Sequence, residues 1–530
     1  MTNEKKWKLT VFIGWIAIIA VIAVPTLGQL VDKTRAPNVA DAGIAKSLTE
    51  QVGAGRGDWT TPDSSSFIIA RDPFRSIRRG RQLFQRKFSR SQGLGPMVKD
   101  GAGDVNNILA IGAGLSDSCA ACHGRPRGAA GSGGDVVTRP DSRDAPHLFG
   151  LGLKEMLADE ITTELRSIRA EAIKKALQHR RDVTKELTGK GINYGSITVR
   201  GNGEVDTSRV KGVDADLRVR PFFAHGGKFS MREFIVGAFN DEMGLQAVDA
   251  ELMAASTGAK ITTPSGLTMD GTLDQVAAPP TDNVNADPDH DGITNEIPTS
   301  VIDHFEFYLL NYFKPAVYEQ NYATEVGSRL FDQIGCAKCH VPDFKIERDR
   351  RVADLETKYD PDKGIYNNLF ATAVPLFKAL NDSSGYPSVK QPKGESFEVK
   401  NIFTDFKRHD VGPGFYERNY DGTLRKEFMT TPLWGVGTTA PYGHDGRSIN
   451  LKEVILRHGG EAKRERDTFA RMPYNLQRNL LDFLNSLIVF PPDDTASTLD
   501  PGNRAATNFP QFGHGSVKLT VLFNNPQDIE

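Results

Sequence analysis

Apolar and polar positions recur with helical spacing at several places along this chain of 530 residues. In "GSRLFDQIG", residues 327 to 335, Leu330 and Phe331 give a short amphipathic helix its apolar side. Leu451, Val454, Ile455 and His458 fall on one face of another helix, which Gly459 and Gly460 end. The stretch "DEITTELRSIRAEAIKKALQHRR", residues 159 to 181, is rich in strong helix formers. The segment "GSITVRGNGEVDTSRV", residues 195 to 210, reads instead as a small hairpin turning at Gly201-Asn202-Gly203. Near the N-terminus the polar positions vanish: lysine-rich "MTNEKKWKLT" precedes "VFIGWIAIIAVIAVPTLGQL", residues 11 to 30. About 20 apolar residues span a bilayer core as a helix. An uncleaved membrane anchor and a cleaved export signal both fit, the former better because no convincing small-x-small site follows. Either reading puts the rest of the chain in a periplasm-like space.

The helices repeat in order. "GRQLF" at residues 80 to 84 precedes the motif "SCAACHGRP", and "GSRLF" at 327 to 331 precedes "GCAKCHVPD". "HGGKFSMREFIVGAF" begins 102 residues beyond His123, and "HDGRSINLKEVILRH" begins 104 residues beyond His340. Matched offsets of this kind mark an internal duplication. In both later segments a loop enters a helix, and Ser230 with Glu233 and Asn450 with Glu453 have the cap-x-x-Glu spacing that satisfies free backbone N–H groups. The expected organisation is a signal or anchor segment over 1–35, a first domain of the duplication over 36–310, a second over 311–495 and an irregular tail over 496–530.

All four cysteines lie in the two C-x-x-C-H motifs: Cys119 and Cys122 with His123, and Cys336 and Cys339 with His340. This spacing is the attachment signature for c-type haem, in which two thiols bond the porphyrin and the adjacent histidine binds iron. Three other chemistries compete. A thioredoxin-like pair needs no following histidine, a zinc cage could take all four sulfurs, and a disulfide framework is out of character for so long a chain. Two covalently bound haem c groups account best for motifs that exhaust the cysteines. His458, on the apolar stripe, is either a core histidine bonded to backbone or the second axial ligand of a haem, and the second reading fits a haem domain better.

Charge adds bounds. A net charge of −2 gives no global field for nucleic acid. The basic stretch from Arg75 to Ser91 reads as a solvated helix face. Between the halves, Asp287, Asp289 and Asp291 with Gly292 match the first half of a calcium loop, but Pro298 stands where an EF-hand needs glutamate. A compact calcium site and an ordinary acidic turn both remain open there.

In patches from residue 80 to 490 the chain resembles the bacterial di-haem cytochrome c peroxidase superfamily, in particular its di-haem oxidoreductase branch, which includes the rubber oxygenases. The resemblance rests on "GLGP", both haem motifs, "APHLFGLGL", "VGAFNDEMG", "RHDVGPG" and "TTPLWGVGTTAPYGHDGRS". It implies a mainly α fold of two cytochrome-c-like haem domains, with small β-hairpin insertions and the N-terminal helix added. It implies His123 and His340 as proximal iron ligands, His458 as the second ligand of haem two, and Glu242 as a distal acid that moves a proton between peroxide oxygens. Calcium commonly sits at the domain junction in such peroxidases. Two departures stand out: no tryptophan occurs near Phe223-Ala224, and no confident counterpart of the histidine capping the resting reactive haem exists, His147 being the one at hand.

The residues themselves agree with an asymmetry. One repeat carries an iron ligand, His458, where the other carries Glu242 after Phe234, Ile235, Val236 and Phe239. The expected function is a periplasmic di-haem c oxidoreductase, peroxidase-like, with haem one reactive and haem two relaying electrons. A dioxygenase cleaving carbon–carbon double bonds and a non-enzymatic electron carrier are the alternatives. The expected partners are a periplasmic electron donor or acceptor (small cytochrome, copper protein or quinol-linked), peroxide or dioxygen, and the membrane through residues 11–30.

Overall fold

The computed structural model describes residues 47–88, 116–124, 135–136, 143–312 except 289 and 291, 316–317, 320–359, 369–419 and 422–488. All of them belong to one compact unit, Lys46–Leu519. The described helices are α1 (Leu48–Val52), α2 (Ser65–Arg71), α3 (Pro73–Gln85), α4 (Cys119–His123), α5 (Leu151–His179), α6 (Met231–Met243) and α7 (Ala250–Ser256). They continue with α8 (Thr299–Asn311), α9 (Tyr322–Ile334), α10 (Leu451–Arg457), α11 (Lys463–Arg471) and α12 (Tyr474–Asn485).

The duplication has a counterpart in packing. Asp72 caps α3 and Pro73 opens it, where a missing N–H costs nothing. α3 then crosses the almost wholly buried α8 at Gly80, where an added Cβ would lie 2.2 Å from the His304 carbonyl oxygen and 2.4 Å from Tyr308 Cβ. In the other half α9 crosses α12 at Gly327, where a Cβ would lie 2.0 Å from the Asn479 carbonyl oxygen and 2.7 Å from Phe483 Cβ. The Leu-Phe pair that follows each glycine enters the core: Phe84 meets Phe305 at 6.1 Å, and Phe331 meets Phe483 at 5.6 Å and Phe403 at 5.6 Å. Each edge-on aromatic pair adds about 0.5–1.5 kcal/mol beyond its buried area. Both glycines are needed because only a residue without Cβ lets two helix backbones come so close.

Behind the first motif the core is ionic. The buried Arg232 guanidinium of α6 meets Asp249 at 2.7 Å, Glu306 at 2.9 Å, Asp303 at 3.0 Å and Glu251 at 3.4 Å. Arg56 pairs with Asp303 and Glu251 as well. Burial alone would lower the pKa of Arg232, but these carboxylates outweigh it and hold the pKa well above the ordinary arginine value. Breaking such a pair strands a charge and costs about 3–5 kcal/mol, so the cluster locks α6, α7 and α8 in place.

Two expectations change, and a third, the membrane anchor, lies outside the described residues. The fold is not plainly mainly α: it is 39 % helix and 17 % strand. Among the described residues there are eight two-stranded sheets and one of three strands. The cause is visible between residues 344 and 399, where apolar and polar residues alternate with period two in pieces too short for a helix. Phe344-Lys345-Ile346 is buried, exposed, buried, and pairs antiparallel with Phe397–Val399. No described helix is long and apolar enough to cross a membrane; the expected anchor at residues 11–30 lies outside the described residues, as does the tail after Pro491. Second, the basic stretch is not a solvated face. Arg79 is buried, and both it and Arg75 reach Asp63. The hairpin near Gly201 forms from Ile192–Val199 and Val205–Asp206, with a third strand, Val183–Gly189, paired on its other side.

Candidate functional site

The second motif starts where α9 stops. Gly335, with φ 100°, ends the helix, and Cys336 to Lys338 form one tight turn that presents Cys336, Cys339 and His340. The His340 Nδ1–H donates to the Phe403 carbonyl oxygen at 3.1 Å. A carbonyl can only accept, so the proton is on Nδ1 and the lone pair on Nε2, the tautomer that binds metal. His458 is the C-cap of α10, and its Nδ1–H donates to the Val454 carbonyl oxygen at 2.7 Å. Neither Nε2 has a hydrogen-bond partner among the described residues. Burial, then the backbone bond and the charge His458 would carry, leave the His340 pKa at about 4, and burial lowers that of His458 too. Two buried imidazoles, of which His340 lies within reach of the charge His458 would carry, each with Nδ1 anchored on a carbonyl, have the donor chemistry to hold one haem between them.

The first motif has the same proximal geometry. Ser118 caps α4 by accepting from Ala121 N at 3.1 Å, and the His123 Nδ1–H donates to the Pro146 carbonyl oxygen at 2.7 Å. The segment of the first repeat that corresponds to His458 carries no histidine. Glu242 lies half-buried in the last turn of α6, close enough for its charge to raise the Cys122 pKa after burial has done so. The helix is held by the expected capping box: the Ser230 hydroxyl accepts from Glu233 N at 3.1 Å and the Glu233 carboxylate accepts from Ser230 N at 3.3 Å. α10 begins with the Asn450 cap, Asn450 Oδ1 accepting from Glu453 N at 2.9 Å.

His147 follows Pro146, whose carbonyl accepts from His123, so it stands next to the first motif's histidine. Its Nε2–H donates to the Trp434 carbonyl oxygen at 2.9 Å, and burial keeps its pKa near 4. The Trp434 ring lies against Gly150, so this contact joins the loop after the first motif to the signature segment of the second half.

The thiols discriminate among the competing chemistries. Burial and the neighbouring Cys122 push Cys119 up to about 12, and burial and Glu465 push Cys336 up to about 12. A redox-active pair needs a depressed pKa, which is the opposite. The four sulfurs do not converge either: the one cluster of ligating side chains among the described residues is Cys339, Asp405 and His409. Of the acidic loop, Asp289 and Asp291 lie outside the described residues, and Asp287 Oδ2 accepts from Gly292 N at 2.9 Å. Near Phe223-Ala224 no tryptophan enters, and Phe223 stacks on His225 at 6.1 Å.

Sequence reasoning missed His409, Asp405 and Glu461. The signal was present in "DFKRHD", residues 405 to 410, where Asp405 and His409 stand four apart, but their third partner, Glu461, is 52 residues from His409.

Residues 349–487 match the family model described as "Di-haem oxidoreductase, putative peroxidase". No curated protein matches the chain. Among solved structures, Kuenenia stuttgartiensis hydrazine synthase pressurized with xenon is 16 % identical, with a TM-score of 0.21, over 36 % of this chain and 55 % of that one. The chain thus spans about half the length of that relative, and the likeness is too slight to argue from. The family match covers the segment that carries His409, His444 and His458 and supports a likeness of this segment to di-haem oxidoreductases.

Proposed function

We propose that the protein is an exported di-haem c oxidoreductase that reduces peroxide, with covalent haems at Cys119/Cys122 and Cys336/Cys339. Haem bound at these motifs supplies one-electron chemistry: with two axial histidines it is confined to electron transfer, whereas with one it keeps a position for an oxidant. The observation that carries the reading is the inequality of the two sites. His340 lies within reach of the charge His458 would carry, whereas Cys122, next to His123, lies within reach of the Glu242 carboxylate, and this difference supports the reading.

In this reading the Pro146 and Phe403 carbonyls orient His123 and His340 and make each imidazole more basic toward iron. Glu242 holds and moves a proton at its carboxyl group beside the first site. The donor is a periplasmic small cytochrome, copper protein or quinol-linked carrier, and residues 11–30 export or anchor the chain. Stopped-flow mixing of the protein with peroxide tests the proposal. Glu242→Gln should slow the reaction by about 10²–10⁴, the usual contribution of a general acid, while leaving haem content intact. A wild-type rate in the variant would make Glu242 a bystander and favour the oxygenase. Failure of the native protein to react with peroxide, cyanide and dioxygen in every redox state would leave only an electron carrier.

A further inference from the structure

His409 lies on the short strand Arg408–Asp410 and is 7 % exposed. Both of its ring nitrogens face carboxylates: Nε2 is 2.7 Å from Asp405 Oδ2, and Nδ1 is 2.9 Å from Glu461 Oε2. An ionised carboxylate only accepts, so both nitrogens must donate and the ring is an imidazolium. Burial opposes that charge, but the bond to Asp405, with help from Cys339 beside it, outweighs burial and pushes the pKa up to about 11. Thioether formation at Cys339 leaves both carboxylates in place.

The two carboxylates belong to the two loops that hold the second site's imidazoles. Asp405 is two residues from Phe403, whose carbonyl oxygen fixes His340 Nδ1, and Thr404 N donates to the Val341 carbonyl oxygen at 3.0 Å. Glu461 is three residues beyond His458, across Gly459-Gly460. That turn lies flat on the strand's exit: Gly459 N donates to the Val411 carbonyl oxygen at 2.7 Å and Asp410 N donates to Glu461 Oε1 at 3.1 Å. Gly460 has φ 48°, and an added Cβ there would lie 2.1 Å from the Asp410 carbonyl oxygen. The chain leaving His458 therefore has one seat, and the imidazolium bridges that seat to the His340 side.

We infer that His409 is a positioning residue, a charged clamp between Asp405 and Glu461 that fixes the His458 loop relative to His340 and so keeps the second site six-coordinate. The inference rests on the di-haem reading above. Cys339, Asp405 and His409 also have the spacing of a cation site. Cys339 belongs to the attachment motif, however, and carboxylates occupy both imidazole nitrogens.

The test uses the haem-loaded full chain. Glu461 has a 57 % exposed side chain, so Glu461→Ala can be made without disturbing the core. Losing a hydrogen bond to a charged group shifts a local closed–open equilibrium by about tenfold or more. Glu461→Ala and His409→Phe should therefore raise cyanide binding at haem two about tenfold and produce a high-spin fraction in the ferric electron paramagnetic resonance spectrum. Glu461→Gln, whose single amide oxygen can still accept from His409 while the Asp410 N–H loses its acceptor, should restore most of the native spectrum. Haem content and the haem-one signal should not change. Unaltered spin state and cyanide binding in Glu461→Ala and His409→Phe would overturn the clamp if His458→Gly opens the site. If His458→Gly leaves haem two low-spin, the ligand assignment beneath the inference fails instead.

Discussion

Replacing a helix glycine by alanine has two opposed effects, and at Gly327 the structure decides between them. Alanine gains about 1 kcal/mol of helix propensity over glycine. Against that, its Cβ would stand 2.0 Å from the Asn479 carbonyl oxygen, more than 1 Å inside ordinary contact, and 2.7 Å from Phe483 Cβ. Neither atom is the end of a flexible side chain, so α9 and α12 must part, and overpacking of this kind typically costs about 1–3 kcal/mol, sometimes more. The expected net effect of Gly327→Ala is a loss of about 1–2 kcal/mol. Because α9 leads directly into Cys336, the haem-two spectrum should change along with stability. Gly237, inside α6, is the matched control: its Cβ would meet only Asp241 Oδ2, at 3.9 Å. Gly237→Ala should therefore stabilise by up to about 1 kcal/mol. Denaturant titrations followed by far-ultraviolet circular dichroism and by Soret absorption would measure both. Stabilisation by Gly327→Ala equal to that by Gly237→Ala would mean that α9 and α12 do not cross as described.

His458→Gly should convert one of the two haems from low-spin to high-spin or water-bound, and His458→Met should give a weak near-infrared thioether band; unchanged spectra in both would return His458 to a core histidine bonded to Val454. Glu155 is buried against Arg350 at 2.6 Å, and burial chiefly, with Glu306 adding to it, raises its pKa to about 7. A raised carboxyl pKa contributes stability that is complete below about pH 4.5 and lost as pH rises to about 7, by up to about 3 kcal/mol. Unfolding free energies at pH 5 and pH 8 should show this loss in the native protein and less of it in Glu155→Gln. An identical pH slope in the two proteins would contradict the assignment.

What the sequence made legible were interactions between near neighbours. Cap-x-x-Glu spacing located the starts of α6 and α10, although the Glu453 carboxylate accepts from Ile449 N at 3.0 Å rather than closing the box on Asn450. The apolar stripe placed His458, and the two G-x-x-L-F pairs marked helices that do cross their partners at the glycine. The orienting carbonyls were not legible, because every residue has one; that Phe403 presents its carbonyl to His340 depends on a left-handed turn at φ 55° that its sequence does not advertise. The clamp joins residues 52 apart, and nothing local at Glu461 announces it. Apart from the hairpin near Gly201, the sheets went unread because their strands are two to eight residues long, shorter than the window over which periodicity is judged. Arg79 looked solvent-facing because its partner, Asp63, precedes the helix.

The claim underlying everything else is that each C-x-x-C-H motif holds one haem through its cysteines. The mass of the exported polypeptide after acid–acetone extraction tests it directly. The account predicts two haems retained in the native chain and one when Cys336→Ala and Cys339→Ala are combined. Extraction of all haem, or a chain that carries stoichiometric zinc in its place, would contradict it.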